Sequence, residues 1–230
     1  MKDLEDFEHA IGVTFKDKGL LRQAFTHRSF LNEHKGKAVG HNERLEFLGD
    51  AVLELIVTEH LFEKYPDYNE GEMTSLRAAV VNADTLSGIA SKLGMNDYLL
   101  LSRGEAKDKG RARQYILANT FEALVGAIFI DQGYIAARDF VAANTFALLG
   151  EIIKKGFWTD AKSLFQEKAQ DRVGVTPSYE TLREEGPDHD KWFTVGVFLG
   201  GQEVAQGKGK SKQDAEQDAA RAGLEAKGWQ

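Results

Sequence analysis

Apolar residues recur at helical spacing through most of the first 150 residues. Leu20, Leu21, Ala24 and Phe25 make a short amphipathic segment. Leu45 to Lys64 makes a longer one, stopped near Pro66, and Met73 to Gly94 a third, with Gly94 as its C-terminal stop. Tyr115 to Asp131 is apolar nearly all round, through Ile116, Leu117, Phe121, Leu124, Val125, Ile128 and Phe129, and such a helix is expected to be buried. Ala136 to Lys155 closes the set. The pattern then changes. Asp160 can cap a helix from Ala161 to about Arg172. Trp192 to Leu199 alternates, with Phe193, Val195, Val197 and Leu199 on one side, as a strand does. Gly200-Gly201 reads as a hairpin turn, and a last helix from about Lys212 carries Ala215, Ala219 and Ala222 as a small-residue stripe. These patterns predict an all-α domain over residues 1–153, a linker over 154–159 and a small α+β domain over 160–228. The small domain runs helix, three strands, helix, with both helices able to cover one sheet face.

The totals narrow the class. A length of 230 residues fits one large domain, or a medium one and a small one. The absence of cysteine excludes disulfides, Cys-based zinc sites and thiol catalysis, and fits a reducing compartment. The opening Met1-Lys2-Asp3-Leu4-Glu5-Asp6 is acidic and has no apolar h-region, so it does not read as a signal peptide. No apolar run approaches the ~18 residues of a membrane span. A cytoplasmic protein is expected. The net charge of -7 argues against nucleic acid, for which a basic domain is the usual footprint. Placement qualifies the sum: Gln206 to Lys212 holds three lysines and no acid.

The chemistry is concentrated in His41-Asn42-Glu43-Arg44-Leu45-Glu46-Phe47-Leu48-Gly49-Asp50. Glu43, Glu46 and Asp50 stand at i, i+3 and i+7, within an arc of roughly 60° on a helix. Leu45, Leu48, Val52 and Leu55 fall opposite. Like charges at this spacing repel, and a hard divalent cation is the natural neutraliser because it prefers oxygen ligands. The plain alternative is a solvated charge face. Two features count against it. Gly49 lies mid-helix at a cost of about 1 kcal/mol relative to alanine, so close packing is expected there. The apolar segment at 115–131 also carries Asn119 and Glu122 on one side, and a buried carboxylate is expensive unless paired or metal-bound. If the two helices pack together, Glu46, Asp50, Asn119 and Glu122 can converge on one cation. The alternative for Glu122 is a salt bridge to Arg44 or Arg77.

His41 to Asp50, continued by Ala51-Val52-Leu53, resembles the ribonuclease III signature. Ala24-Phe25-Thr26-His27-Arg28-Ser29-Phe30 is similar to that family's N-terminal segment, and Ile116 to Leu124 to its second acidic motif. The resemblance runs in order over nearly the whole chain. It implies a helical endonuclease domain that dimerises, each active site cutting one strand of double-stranded RNA with Mg²⁺, or Mn²⁺ in its place. By position, Glu46 and Glu122 are the implied direct ligands, Asp50 a ligand or water-orienting acid, and Glu43 the supporting acid. Glu70 matches an acid that the family places near the cleavage site; its alternative is a surface loop acid. The family usually has Asp where this chain has Asn119. An Asn carbonyl can bind a hard cation, but it brings no negative charge and cannot act as a base. His27 and His41 read as structural or hydrogen-bonding residues.

Residues 160–228 resemble a double-stranded-RNA-binding domain in Leu164-Phe165-Gln166-Glu167, in Gly186-Pro187-Asp188-His189, and in Gly207 to Lys212 leading into Ala215-Glu216. The resemblance implies Gln166 and Glu167 in one minor groove and His189 in the next. Lys208, Lys210 and Lys212 then meet the intervening phosphates at a helix N-terminus. Such a module reads A-form shape and 2′-hydroxyls. The family often has a second lysine where this chain has Gln213. A P-loop reading of Gly209-Lys210-Ser211 fails, since Val204 stands where that motif needs glycine.

The implied protein is a homodimeric Mg²⁺-dependent endonuclease for double-stranded RNA, leaving 5′-phosphates and short 3′ overhangs. Its duties by resemblance include ribosomal RNA precursor processing. It needs no small-molecule cofactor and no membrane. One rival is a double-stranded-RNA-binding protein disabled for cleavage by Asn119. Another is a metal-dependent hydrolase of small phosphoesters, against which the C-terminal module argues.

Overall fold

Capping residues fix where most of the helices begin. In the computed structural model, which describes residues 3–34, 40–155, 161–187 and 191–229, Asp3 accepts from Glu5 N to open α1 (Leu4–Ile11), and Asp17 from Gly19 N to open α2 (Lys18–Ala24). His27 does the same through its ring for α3 (Arg28–Glu33). The long α4 (Glu43–Lys64) follows. The predicted helix over Met73 to Gly94 is instead two, α5 (Glu70–Val80) and α6 (Ala83–Lys92). Asn82 breaks it: its side-chain oxygen caps Thr85 N, while its amide nitrogen donates to the carbonyls of Ala78 and Ala79. Asn69 and Glu72 close a capping box at the start of α5. Glu70 is therefore the first residue of a helix, not a loop acid. Two short 3₁₀ turns, Met95–Tyr98 and Glu105–Lys107, lead to α7 (Arg111–Gln132), and α8 (Tyr134–Lys155) follows.

The chain divides into two compact units, Met1–Trp158 and Thr159–Gln230. Helix α8 continues through Lys155, past the expected start of the linker at 154; the rest of that linker and Asp160 lie outside the described residues.

The first unit is built around α7. Ile116, Leu117, Phe121, Leu124, Val125 and Ile128 are all buried, as an all-round apolar helix requires. Its main neighbour is α4, which contributes Leu45, Val52, Leu53, Ile56 and Val57 to the same core. Leu55, expected on the apolar side of α4, is instead 57% exposed. The buried stripe is carried by Leu53, Ile56 and Val57 on the adjoining turn.

The second unit is α9 (Ala161–Val173), β1 (Ser178–Glu185), β2 (Trp192–Leu199), β3 (Gln202–Gly209) and α10 (Lys212–Lys227). The three strands form one antiparallel sheet in the order β1-β2-β3. Gly200 and Gly201 both have positive φ and make the β2-β3 turn. Val195 and Val197 pack with Phe165, Ala169, Ala215, Ala219 and Leu224, so both helices cover one face of the sheet. Gly207 of β3 and Gly209 let α10 lie close: a Cβ at Gly207 would stand 2.0 Å from Ala219 N.

Candidate active site

The site begins with an unusually close helix crossing. A Cβ at Gly49 of α4 would lie 1.8 Å from the carbonyl oxygen of Glu122 on α7. Reciprocally, a Cβ at Gly126 would lie 2.2 Å from the carbonyl oxygen of Leu45. Two glycines thus bring the backbones of α4 and α7 into direct contact. This explains the mid-helix glycine and sets the acidic residues of the two helices beside each other.

The electrostatics follow from that crossing. The Glu122 carboxyl is partly buried, and burial, then the charges of Asp50 and Glu46, push its pKa up to about 8. Burial also raises Glu46, helped by Glu43 and Asp50, while a hydrogen bond from Asn119 acts the other way. Asn119 and Glu46 are therefore in direct contact across the two helices. Asp50 is exposed at the rim. Arg77, one alternative partner for Glu122, donates instead to Thr58 Oγ1 at 3.0 Å, and Arg44 lines a different pocket, beside Phe47. Every influence resolved at Glu122, burial and the charges of Asp50 and Glu46, disfavours its anion.

Glu43 is the outermost acid of the row. It is approached by Arg28 Nη1 at 3.4 Å and by His41 Nδ1 at 3.7 Å. Asn42 organises this corner. It is buried, its backbone N–H donates to Thr26 O at 2.9 Å, and its amide donates to Ala24 O at 3.2 Å. The segment bearing His27 and Arg28 is thereby tied to the start of α4. A cleft of about 510 Å³ opens here, lined by His27, Arg28, Glu43, Glu46, Tyr115 and Asn119 among others. Burial lowers the His27 pKa, so its imidazole is held toward the neutral form. The cleft-lining Arg28 and Tyr115 carried no role in the sequence reading. The signal available for Arg28 was its place in the Thr26-His27-Arg28-Ser29 segment, eighteen residues before Glu46 but folded against it.

The donor set suits a hard divalent cation, since carboxylates and an amide oxygen are the ligands such ions take. Among the described residues, however, no three Asp, Glu or His side chains converge as a ready cation cage. Glu46, Asp50, Asn119 and Glu122 are neighbours, not a closed coordination shell. Glu70 is exposed at the N-terminus of α5 and outside this cluster.

In the second unit Gln166 and Glu167 lie exposed on α9. Lys208 and Lys210 stand exposed at the end of β3 and just after it, and Lys212 opens α10 behind the Ser211 cap. His189 lies outside the described residues. Lys210 Nζ stands over the Trp192 ring at 5.6 Å and Lys212 Nζ over Phe193 at 5.6 Å.

Comparison with known proteins bears on both units. The family model described as ribonuclease-III-like matches residues 17–149, and the double-stranded RNA binding motif matches residues 161–227. A protein named ribonuclease 3 from Roseiflexus sp. (strain RS-1) is 44% identical over 227 residues, 98% of this chain and 96% of that protein. The ribonuclease 3 of Geobacillus kaustophilus is 44% identical over 224 residues, 96% of this chain and 89% of that protein. Among solved structures, the nuclease domain of Campylobacter jejuni ribonuclease III superimposes with a TM-score of 0.56 at 40% identity, over 62% of this chain and 98% of that one. That domain is described with structural flexibility in a region involved in dimer formation. With both units matched and relatives 44% identical over nearly its whole length, this chain belongs to the ribonuclease III family of endoribonucleases.

Proposed function

We propose that this protein is a Mg²⁺-dependent endonuclease for double-stranded RNA, hydrolysing phosphodiesters to leave 5′-phosphates and short 3′ overhangs. Processing of ribosomal RNA precursors and other structured transcripts in the cytoplasm is the duty proposed for it as a member of this family. The observation that carries the reading is the Gly49–Gly126 crossing, which sets the partly buried Glu122 within reach of the charges of Asp50 and Glu46. Glu46 and Glu122 are the proposed direct ligands, with Asp50 as ligand or water-orienting acid and Asn119 as a neutral oxygen donor. Glu43 is the supporting acid, with the Arg28 guanidinium 3.4 Å away. When bound, magnesium supplies Lewis-acid activation of the attacking water and of the leaving oxygen. The protein's own part is to hold the acids on two helices that the paired glycines Gly49 and Gly126 let approach backbone to backbone. The proposed RNA contacts are Glu70 in the first unit and Gln166, Glu167, His189, Lys208, Lys210 and Lys212 in the second.

We further propose a homodimer. Phe47 is 82% exposed beside the acidic row, and it forms one wall of a cavity of about 590 Å³ that Leu20, Gln23, Arg44, Leu48 and Ile130 also line. A large exposed ring and an adjacent socket suit a two-fold contact in which each copy fills the other's cavity. The test of the function is incubation of a long RNA duplex with the full chain, with and without Mg²⁺, beside Asn119→Asp. Cutting by the parent chain in Mg²⁺ supports the reading. Cutting by Asn119→Asp alone favours a binding protein whose site Asn119 has disabled.

A further inference from the structure

The lysines proposed to meet RNA phosphates are not all idle in the free module. Lys212 Nζ stands 3.2 Å from Glu184 Oε1, and Lys191 Nζ stands 3.5 Å from Glu184 Oε2. Glu184 is near the end of β1, opposite Phe193 of β2 in the sheet register. Lys212 also lies over the Phe193 ring, so the ring and the carboxylate hold one ammonium between them. Each carboxylate oxygen thus faces a different lysine, an arrangement that the oxygens of a phosphate can also make. Other acids close in on the same end of α10. Asp214 Oδ2 accepts from Ser211 Oγ at 2.7 Å, and Asp218 Oδ2 accepts from Lys208 N at 2.9 Å. Glu216 Oε2 is paired with Lys162 at 2.5 Å.

We propose that Glu184 is an autoinhibitory phosphate mimic: it competes with the RNA backbone for Lys212 and so weakens duplex binding by this module. The inference rests on the reading of the module as a binder of double-stranded RNA. Its physical basis is an exchange. RNA must displace a carboxylate already seated on Lys212, and the displaced Glu184 is left facing a polyanion. A hydrogen bond from Lys212, with the charges of Lys212 and Lys191, holds the Glu184 carboxyl below its usual pKa, so the competitor is an anion throughout the neutral range. The pair is exposed, so it tunes affinity and does not abolish it. An attenuated grip also favours release of cut duplex, which still presents phosphates to the module.

The test measures Kd for a long RNA duplex and for single-stranded RNA of equal length, using the full chain in EDTA, across a series of salt concentrations. A parent chain that does not prefer the duplex overturns the reading and the inference with it. If the parent does prefer it, Glu184→Gln and Glu184→Ala are expected to bind about two- to fivefold tighter, with a salt slope steeper by up to about one unit. Glu180→Gln, on the same strand and removing the same charge, is expected to bind as the parent does. The gain from Glu184→Gln is expected to vanish in the Lys212→Gln background. Unchanged or weaker binding by the Glu184 variants overturns the inference while leaving the duplex-binding reading intact. So does an equal gain from Glu180→Gln, which marks a mere net-charge effect, or a gain that survives Lys212→Gln.

Discussion

Replacing Gly49 by alanine tests the crossing on which the site depends. In an ordinary helix interior the change is favourable by about 1 kcal/mol, because alanine gives up less backbone freedom. Here the new Cβ would meet the Glu122 carbonyl oxygen at 1.8 Å, against about 3.4 Å for an ordinary contact, so the helices must part by about 1.6 Å. The obstacle is main chain on a buried helix, which has no rotamer to turn aside. Overpacking of this kind costs about 1–3 kcal/mol, and separating the helices also loosens packing along the rest of the interface. With the helix-propensity gain subtracted, a net loss of about 1–2 kcal/mol is expected, which lowers the melting temperature by about 2–8 °C for a unit of this size. Cleavage suffers more than stability, since a displacement of about 1 Å between catalytic groups can cost about 10²-fold. Gly88 supplies the control. It lies within α6, and a methyl group added there would have nothing within 4 Å, so Gly88→Ala is expected to stabilise by about 0.5–1 kcal/mol. Calorimetry and a duplex-cleavage assay on both variants read out the difference. A Gly49→Ala protein that melts with the parent and cuts at the parental rate refutes the tight crossing as the basis of the site.

The pH dependence of the metal-free protein follows from Glu122. Its folded-state pKa of about 8 lies above the unfolded value near 4.5, so its stabilising effect is complete below pH 4.5 and is lost as pH rises through 8. The span corresponds to a loss on the order of a few kcal/mol; melting in EDTA checks it, and an unchanged slope in Glu122→Gln would reject Glu122 as its source. Mg²⁺ is expected to raise the melting temperature more at pH 8 than at pH 5, because binding competes with that proton. Asn119→Asp adds a negative oxygen donor beside Glu46, so half-maximal cleavage is expected at lower Mg²⁺; an identical Mg²⁺ dependence removes Asn119 from the proposed ligand set. Phe47→Asp is expected to convert dimers to 25.5 kDa monomers in light scattering, and a variant that stays dimeric locates the interface elsewhere.

The sequence pattern carried most of the architecture because the period of its apolar residues is strong where burial is strong. Tyr115 to Asp131 reads as a buried helix and is one, and Trp192 to Leu199 alternates and is a strand. The miss at Met73 to Gly94 came from Asn82. Its side chain replaces backbone partners at a break that leaves the apolar period nearly intact on either side. Leu55 was misplaced for a related reason: an arc drawn on an ideal helix wheel does not say how wide the buried stripe is, and the partner helix decides that. Gly49 was legible as a site of close approach because its cost in a helix needs a reason. Its partner Gly126, equally mid-helix within the apolar run, carried the same signal, and that signal went unread. The acids of α4 and α7 were legible as types and spacings. The approach of Arg28 and His41 to Glu43 was not, since it depends on Asn42 binding the Ala24 and Thr26 carbonyls. The engagement of Lys212 by Glu184 likewise joins residues far apart in sequence through strand register.

The central claim is that acids from α4 and α7 act together, through a divalent cation, on paired RNA. It is tested most directly by single-turnover cleavage of a long duplex by the parent chain and by Glu122→Gln, each in Mg²⁺ and in EDTA. The expected result is cutting by the parent in Mg²⁺, none in EDTA, and a rate for Glu122→Gln lower by at least about 10²-fold with duplex binding retained. Cleavage that persists in EDTA, or a Glu122→Gln protein that cuts at the parental rate, contradicts it.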